Sequence, residues 1–422
     1  MNILILGGGG REHALAWAIR QNPKCDRLIV APGNAGISGV ADCAKLDINS
    51  RADVLEFAQD NAIDFVVIGP EAPLAAGVSD ALRGAGFLVF GPSQAAAQLE
   101  ASKTFTKEVC DACGAPTAAW ERFTEAAAAR AHVIALGAPI VIKADGLAAG
   151  KGVTVAETVA QACDAIDLIF DGEFGDTSIV IEEYMTGEEA SFFVLCDGKD
   201  CLPIGTAQDH KRVGEGDTGP NTGGMGAYSP APVLSETLQA QVMEQIIRPT
   251  VTEMARRNSP FQGILYAGLM IDGGHARLVE YNVRFGDPEC QALMIRLGAQ
   301  ALDLLLACAT GRLAETSVNW ADDHALTVVM AAKGYPGSYE KGSAINGLSQ
   351  VTESSFEMVF HAGTTEADGR VTASGGRVLA CTGRGATLAE AHARAYRLVD
   401  AIDWPEGFYR RDIGWRALSN AE

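Results

Sequence analysis

Leu278-Val279-Glu280-Tyr281-Asn282-Val283-Arg284-Phe285-Gly286-Asp287-Pro288-Glu289 places polar side chains at alternate positions of an otherwise apolar strand. Before it, residues 263–271 carry Ile264, Leu265, Tyr266, Leu269, Met270 and Ile271, and Asp272-Gly273-Gly274 separates the two runs. That is a turn signal between two strand patterns, so a β-hairpin is predicted. Side chains alternate faces along a strand, which puts Glu280, Asn282 and Arg284 on one face and Val279, Tyr281 and Val283 on the other. Glu280 and Asn282, about 7 Å apart at the strand rise, offer hard oxygens of the kind that share Mg²⁺ with substrate phosphates. Arg284 beside them suits an anion. Taken alone, the stretch reads equally well as a solvent-facing strand.

The 422 residues exceed one typical core, so about two to four domains are expected. A hydrophobic content of 48% with 47 Gly and 7% aromatic residues fits an α/β protein whose turns approach ligands closely. The net charge of −20 argues against nucleic-acid or anionic-membrane partners. Phosphate must then be met by local cations. The ten cysteines are unevenly scattered, and the short apolar run at the N-terminus is followed by Arg11 and Glu12 rather than by a secretory pattern. No apolar run approaches the roughly 18 residues of a membrane span, so a reducing, cytoplasmic location is expected. Cys110-Asp111-Ala112-Cys113 has the spacing of a redox or zinc pair, but no second pair at ligand spacing accompanies it.

Along the chain, Asn2-Ile3-Leu4-Ile5-Leu6 reads as a strand, residues 7–10 as a glycine loop and residues 11–20 as a helix with Ala14, Leu15, Ala18 and Ile19 inward. Such a junction offers N–H groups and a helix dipole to an anion. A dinucleotide reading fails, because position 12 is Glu12 where a glycine is required and the second strand, Leu28-Ile29-Val30, ends without an acid for a ribose. A single phosphate fits better. Residues 64–68 and 87–90 are further strands, each running into Gly-Pro, with residues 73–85 helical between them; this predicts a doubly wound parallel sheet with ligands at one edge. Residues 94–113 read as one helix, stopped by Gly114 and carrying Lys103 and Lys107, and Pro116 marks a boundary.

Residues 139–153 form an apolar strand ending in Lys143 and running into a loop with Gly146, Gly150, Lys151 and Gly152, which is not a Walker A loop. A lysine at the end of so apolar a strand suits phosphate, and the glycine loop is expected to close over it. Ile179-Val180-Ile181-Glu182-Glu183 is an apolar strand turning polar, read either as the wall of an adenine slot with a carboxylate for ribose or as a solvated edge. Residues 209–230 are the longest stretch of low hydrophobicity, combining Lys211, Arg212, Asn221 and Thr222 with glycines, and are read as a long functional loop leading to a helix over residues 235–257. From His324 onward a separate α+β unit is expected. Its strands are residues 325–331, 356–362 and 378–382, its helix is residues 387–402 with Thr387 as N-cap, and its turns at residues 334–337 and 375–377 are able to reach the main site.

With these stretches in view the chain resembles the ATP-grasp superfamily, and within it the family of phosphoribosylamine–glycine ligases. The resemblance runs nearly end to end, through Gly9-Gly10-Arg11-Glu12-His13-Ala14, Ala31-Pro32-Gly33-Asn34-Ala35-Gly36, Gly69-Pro70-Glu71-Ala72-Pro73-Leu74, residues 143–152, Gln208-Asp209-His210-Lys211-Arg212, residues 219–230 and residues 284–289. It implies an N-terminal Rossmann-like substrate domain (residues 1–100), a linker helix and ATP-grasp lid (101–188), an ATP-grasp core with the metal site (189–323) and a C-terminal domain (324–422). It also implies ATP and Mg²⁺ (or Mn²⁺) as cofactors, glycine and 5-phosphoribosylamine as substrates, and a monomer. By family position Lys103 and Lys143 would hold ATP phosphates, Glu182 and Glu183 the adenine edge, Glu189 the ribose, and Glu280 and Asn282 the metal, with Gly150 also in the ATP site. Arg284, Lys143 and Asp209 would be catalytic. Gly9, Gly10, Arg11, Glu12, Pro70, Glu71, Asp209, Lys211, Asn221, Thr222, Gly223, Met225 and Gly226 would meet the substrates. Many ATP-grasp enzymes place another acidic ligand on the strand before the metal strand, where this chain has Gly268-Leu269-Met270-Ile271. Two other classes stay open at this point, a nicotinamide-dependent oxidoreductase and a nucleotide sensor without turnover.

Overall fold

The computed structural model describes residues 1–147, 152–173, 175 and 177–419. Four short apolar runs become the parallel strands β1 (Asn2–Gly7), β2 (Arg27–Pro32), β4 (Phe65–Ile68) and β5 (Leu88–Phe90), and the exposed pair Asp42–Cys43 adds β3 at the edge, in the spatial order β3-β2-β1-β4-β5. Such strands are buried on both faces. Leu4 and Leu6 of β1 join one core, Ile3 and Ile5 the other. The segment predicted as one helix over residues 73–85 is two, Glu71–Ala75 and Val78–Gly84, because Gly77 between them is left-handed (φ 79°). The helix expected over residues 94–113 is likewise divided, into Gln98–Ala101 and Lys103–Cys113. Ser102 is extended there, and its side chain caps the second helix by accepting the Phe105 N–H at 3.1 Å. Cys110 and Cys113, near its end, are free thiols, as are the other eight cysteines.

The next unit is a four-stranded sheet of β6 (Trp120–Phe123), β7 (Ile140–Ala144), β8 (Val153–Ala156) and β9 (Ile179–Glu183), ordered β6-β9-β7-β8 and backed by helices Ala126–Leu136 and Val159–Leu168. Its core, from Ala129 and Val133 to Ile179 and Ile181, is separate from the others. The largest sheet contains β10 (Glu188–Asp197) and β11 (Cys201–Asp209). Between β11 and the next sheet strand, β12 (Arg212–Gly214) and β13 (Thr218–Asn221) pair only with each other. The sheet then takes in β14 (Gly226–Ser229), β15 (Gln262–Asp272), β16 (His275–Asn282), β17 (His324–Ala332) and β18 (Glu357–His361). A small hairpin of β19 (Thr364–Ala367) and β20 (Arg370–Ala373) stands aside, and β21 (Arg377–Gly385) completes the path β16-β15-β10-β11-β14-β17-β21-β18. The α+β unit expected from His324 is therefore joined edge to edge to the central sheet through β14, which pairs with β11 on one side and β17 on the other. Its helix Leu388–Ala401 begins at Thr387, whose side chain accepts the Glu390 N–H.

Phe192 and Phe193, on opposite faces of β10, are wholly buried in the two main cores. Each such ring contributes roughly 1.5–3 kcal/mol by leaving water. No single helix among the described residues is long and apolar enough to cross a membrane, and the apolar pair Glu289–Leu297 and Gln300–Ala309, bent by 107°, is buried in the core.

Candidate active site

The predicted hairpin forms, with Asp272 opposite His275 and Gly273-Gly274 turning at positive φ (55° and 80°), as the tightest antiparallel turns require. One part of its alternation is different. Gly268 faces Glu280 but Leu269 faces Leu278, so Val279 is an extra residue in a β-bulge. Leu278, Tyr281 and Val283 pack into the core as one face. Val279, expected among them, instead lines a cavity of about 810 Å³ together with Glu280 and Asn282.

That cavity lies where the smaller sheet faces the end of the large one, and has the size of a site for a small organic ligand. Lys103 is the first residue of its helix and donates to Gly146 O at 2.8 Å. Lys107, one turn on along the same face, is buried and donates to Thr117 Oγ1 at 2.7 Å. From the opposing sheet come Lys143 at the end of β7 and Glu182 on β9. The Glu182 carboxylate lies 3.0 Å from Lys107 Nζ and 2.8 Å from Lys143 Nζ, and all three side chains are buried. Burial lowers the pKa of Lys107 against the pull of Glu182, and lowers that of Lys103 against the pull of Glu280. Asp145 ties the two units together, accepting from Thr104 Oγ1 (2.6 Å), Ser102 Oγ (3.1 Å) and Thr104 N (3.2 Å). Gly150 and Lys151 lie outside the described residues.

The carboxylates expected at an adenine edge are engaged elsewhere. Glu182 holds the two lysines, and Glu183 pairs with Arg277 and accepts the Ala119 N–H at 2.9 Å. What remains for an adenine is the backbone of this strand end and apolar walls from Leu99, Val141, Val155, Met185 and Met270. At the next strand end Glu189 pairs with Lys211. Burial raises the pKa of Asp209, opposed by Lys211 and reinforced by Glu289 and Glu189. Lys211 is itself raised, since Glu189 and Asp209 outweigh the lowering effect of burial.

Arg284 is held by a hydrogen bond and two ion pairs, although its buried Nε makes no hydrogen bond among the described residues. Its Nη2 donates to Asn282 Oδ1 at 3.0 Å and lies 2.9 Å from Glu100 Oε1, while Nε is 3.3 Å from Glu71 Oε2. Burial alone would lower its pKa, but Glu100 and Glu71 overcome that and raise it. Glu100, whose other oxygen accepts the Val283 N–H at 2.8 Å, is raised by burial in spite of Arg284. Glu280 differs: its carboxylate lines the cavity and, among the described residues, makes no hydrogen bond or ion pair. Among those residues no group of three or more His, Cys, Asp or Glu is arranged to hold a metal, and Gly268 stands where a further acidic ligand was sought. One free carboxylate beside an amide oxygen fits a cation that brings most of its ligands with it as phosphate and water oxygens.

The N-terminal loop departs from expectation. Gly9 donates to Glu12 Oε2 at 2.7 Å and Arg11 Nε to Glu12 Oε1 at 2.6 Å, so the buried Glu12 carboxylate takes the N–H that a phosphate would need and places negative charge there. Gly9, Gly10, Glu12 and Pro70 do not line the cavity; Arg11 and Glu71 do. Gly10 serves packing, since a Cβ there would stand 2.5 Å from Gln291 Nε2 on the neighbouring helix. Nor are residues 209–230 one open loop. They hold the ribbon β12–β13 and the sheet strand β14. Asn221, Thr222 and Gly223 line the cavity, whereas Met225 is wholly buried in the C-terminal core and Gly226 pairs with Val328 inside the sheet. Both predicted turns of the C-terminal unit arrive. Arg377 Nη1 donates to Gly223 O and Asp287 O, both at 2.5 Å, and Tyr335 Oη accepts the Gly223 N–H at 3.0 Å. The roles of Glu100 and Lys107 were missed. Lys107 was findable, four residues beyond Lys103 on one helix face; Glu100 carries no local signal.

Three family models cover most of the chain: the phosphoribosylglycinamide synthetase N domain over residues 1–100, its ATP-grasp (A) domain over 101–290 and its C domain over 325–416. The phosphoribosylamine–glycine ligases of Mesorhizobium japonicum and Agrobacterium fabrum are 58% and 57% identical to it, each over 99% of both chains. The crystal structure of the Thermotoga maritima phosphoribosylamine–glycine ligase superposes with a TM-score of 0.86 at 31% identity, over 98% of this chain and 100% of that one. The biotin carboxylase domain of Hydrogenobacter thermophilus 2-oxoglutarate carboxylase, solved with MgADP, shares the fold at 12% identity and a TM-score of 0.73, over 97% of this chain and 91% of that one. The three consecutive family models and the two relatives matched over nearly their full length agree, and the chain belongs to the phosphoribosylglycinamide synthetase family of ATP-grasp ligases.

Proposed function

We propose that this chain joins glycine to 5-phosphoribosylamine with ATP, through a glycyl phosphate, giving glycinamide ribonucleotide, ADP and phosphate in purine synthesis, as a cytoplasmic monomer using Mg²⁺ or Mn²⁺. The observation that carries the reading is the unpaired Glu280 carboxylate facing Lys103, Lys143 and Arg284 in one cavity. A glycine carboxylate resists an amine until one of its oxygens becomes a leaving group. One carboxylate oxygen attacks the γ-phosphorus of ATP, the bond to the β–γ bridging oxygen breaks, and ADP departs. Lys103, Lys143 and Arg284 stabilise charge on the transferring phosphoryl group, where fixed cations act most strongly. When bound, the metal held by Glu280 and Asn282 neutralises charge on the phosphate oxygens.

The amine of phosphoribosylamine then attacks the acyl carbon and inorganic phosphate leaves, carrying one oxygen from glycine. Asp209, held above the usual carboxylate range, accepts the proton that the amine sheds. Arg11, Glu71, Lys211, Asn221, Thr222 and Gly223 are assigned to the two acceptor substrates. Among the described lining residues there is no Ser, Cys or His to act as a covalent nucleophile. The buried Glu12 carboxylate opposes a dinucleotide pyrophosphate at the N-terminal loop, which argues against an oxidoreductase. ADP release that requires both glycine and phosphoribosylamine is the expected outcome of a turnover assay. Nucleotide binding without such turnover would make the chain a sensor instead.

A further inference from the structure

The geometry points to Arg410 as a positioning residue that sets the ribbon β12–β13 over the active-site cavity. The ribbon pairs with no other strand, and an isolated two-stranded ribbon is marginal in water. Its placement therefore depends on clamps. Arg377 and Tyr335 hold the open end, where Asn221 pairs with Arg212, at Gly223. Strand β12 and the turn beyond it are held from the C-terminal segment by Arg410, the largest wholly buried side chain among the described residues at 1% exposure. Arginine is rarely so buried unless its whole fork is used. Here Nη1 donates to Arg212 O at 2.9 Å and to Asp217 Oδ1 at 3.0 Å, while Nε and Nη2 grip Asp412, each at 2.7 Å.

The surrounding contacts repeat the pattern. Asp412 Oδ2 accepts the Gly216 N–H at 2.8 Å, Glu215 Oε1 accepts the Arg411 N–H at 2.9 Å, His210 Nε2 accepts the Gly414 N–H at 2.9 Å, and Arg416 pairs with Asp217. The segment is fixed in turn by Tyr396, which donates to Arg410 O at 2.7 Å and accepts the Ile413 N–H at 3.2 Å. Arg212, Asn221 and Thr222 of this region line the cavity, so the C-terminal unit, which supplies few cavity residues of its own, determines where they stand. The functional part of this inference rests on the ligase reading of the cavity.

The test compares the full-length wild type with Arg410→Lys, which keeps the charge but loses the fork, and with Asp412→Asn. Two readouts are taken: the rate at which trypsin releases the fragment beginning at Val213, and KM and kcat for all three substrates. The folded variants are expected to be cut after Arg212 at least tenfold faster. The KM for glycine and phosphoribosylamine should rise tenfold or more, with the KM for ATP and kcat within about threefold. Unchanged cutting and unchanged KM in a folded variant would overturn the proposal, as would a uniform loss affecting ATP equally, which is what a purely structural staple gives. If Arg410→Lys does not fold, the Asp412→Asn values decide by the same criteria. A wild type without glycine- and phosphoribosylamine-dependent turnover would refute the ligase reading alone, leaving the cutting rates to decide the placement of the ribbon.

Discussion

Two charged regions face each other across the cavity and are built on opposite terms. On one side Lys107, Glu182 and Lys143 form a buried set in which the carboxylate is matched by two cations from different units of the fold. On the other, Glu280 projects into the same cavity with no partner among the described residues. Removing charge from water costs free energy that must be offset by a counter-charge. The first region supplies it internally and so acts as a wall that holds Lys143 in place. The second leaves it to be supplied by what binds.

The largest expected effect comes from breaking the closed region. Glu182→Leu leaves two buried lysines without their counter-charge and should lower unfolding stability by about 3–5 kcal/mol, the usual range when one partner of a buried ion pair is removed. Chemical denaturation of the two proteins measures it, and a change below about 1 kcal/mol would show that water already reaches the lysines. Glu280→Gln should do the reverse. Folding stability stays near wild type, because that carboxylate makes no hydrogen bond or ion pair among the described residues and acts on Lys103 only at longer range, while ADP release at low Mg²⁺ falls about a hundredfold or more, since an amide is a poor ligand for a metal shared with phosphates. Wild-type turnover at low Mg²⁺ would remove Glu280 from the site.

A third case sharpens the comparison, that of buried groups with neither a counter-ion nor a ligand. His13 on the first helix donates no charge to its surroundings; its Nδ1 accepts the His361 N–H at 2.8 Å where the N-terminal and C-terminal units meet. Burial, with a smaller contribution from His361, lowers the His13 pKa to about 3, and burial lowers that of His361 to about 4. Below the ordinary value near 6.5 the unfolded chain binds protons that the folded one refuses, so stability falls as pH drops from about 6.5 toward 4, by up to about 1.4 kcal/mol per pH unit for each histidine. Denaturation midpoints of wild type and His13→Gln across that range test it. Parallel pH profiles would show that the contact is not the source.

The regular parts of this architecture were legible because they rest on local pattern. The apolar runs of the N-terminal sheet, the Gly273-Gly274 turn and the Thr387 cap each have a short-range signature, and the structure has them all. The cavity was legible where polar residues interrupt apolar strands, as at Lys143 and Glu280, which line it, whereas the pairing of Glu182 with two lysines, in place of the adenine edge expected of it, was not. Long-range pairing was not legible. The bulge at Val279 depends on register with β15, the break at Ser102 on the carboxylate of Asp145 that engages its hydroxyl, and the burial of Met225 on the strand β17 beside it. Glycine content was misleading at Gly10 and Gly226, where the lack of a side chain serves packing against protein rather than approach to a ligand.

The central claim is that the groups around Glu280 serve phosphoryl transfer to a carboxylate, and it is tested most directly by following one oxygen. Glycine labelled with heavy oxygen in its carboxylate is turned over with ATP and phosphoribosylamine, and the released inorganic phosphate is analysed by mass spectrometry. A glycyl phosphate requires one labelled oxygen in that phosphate for each amide formed. Amide formation with unlabelled phosphate would contradict the acyl-phosphate route and, with it, the roles given to Lys103, Lys143, Arg284 and Glu280.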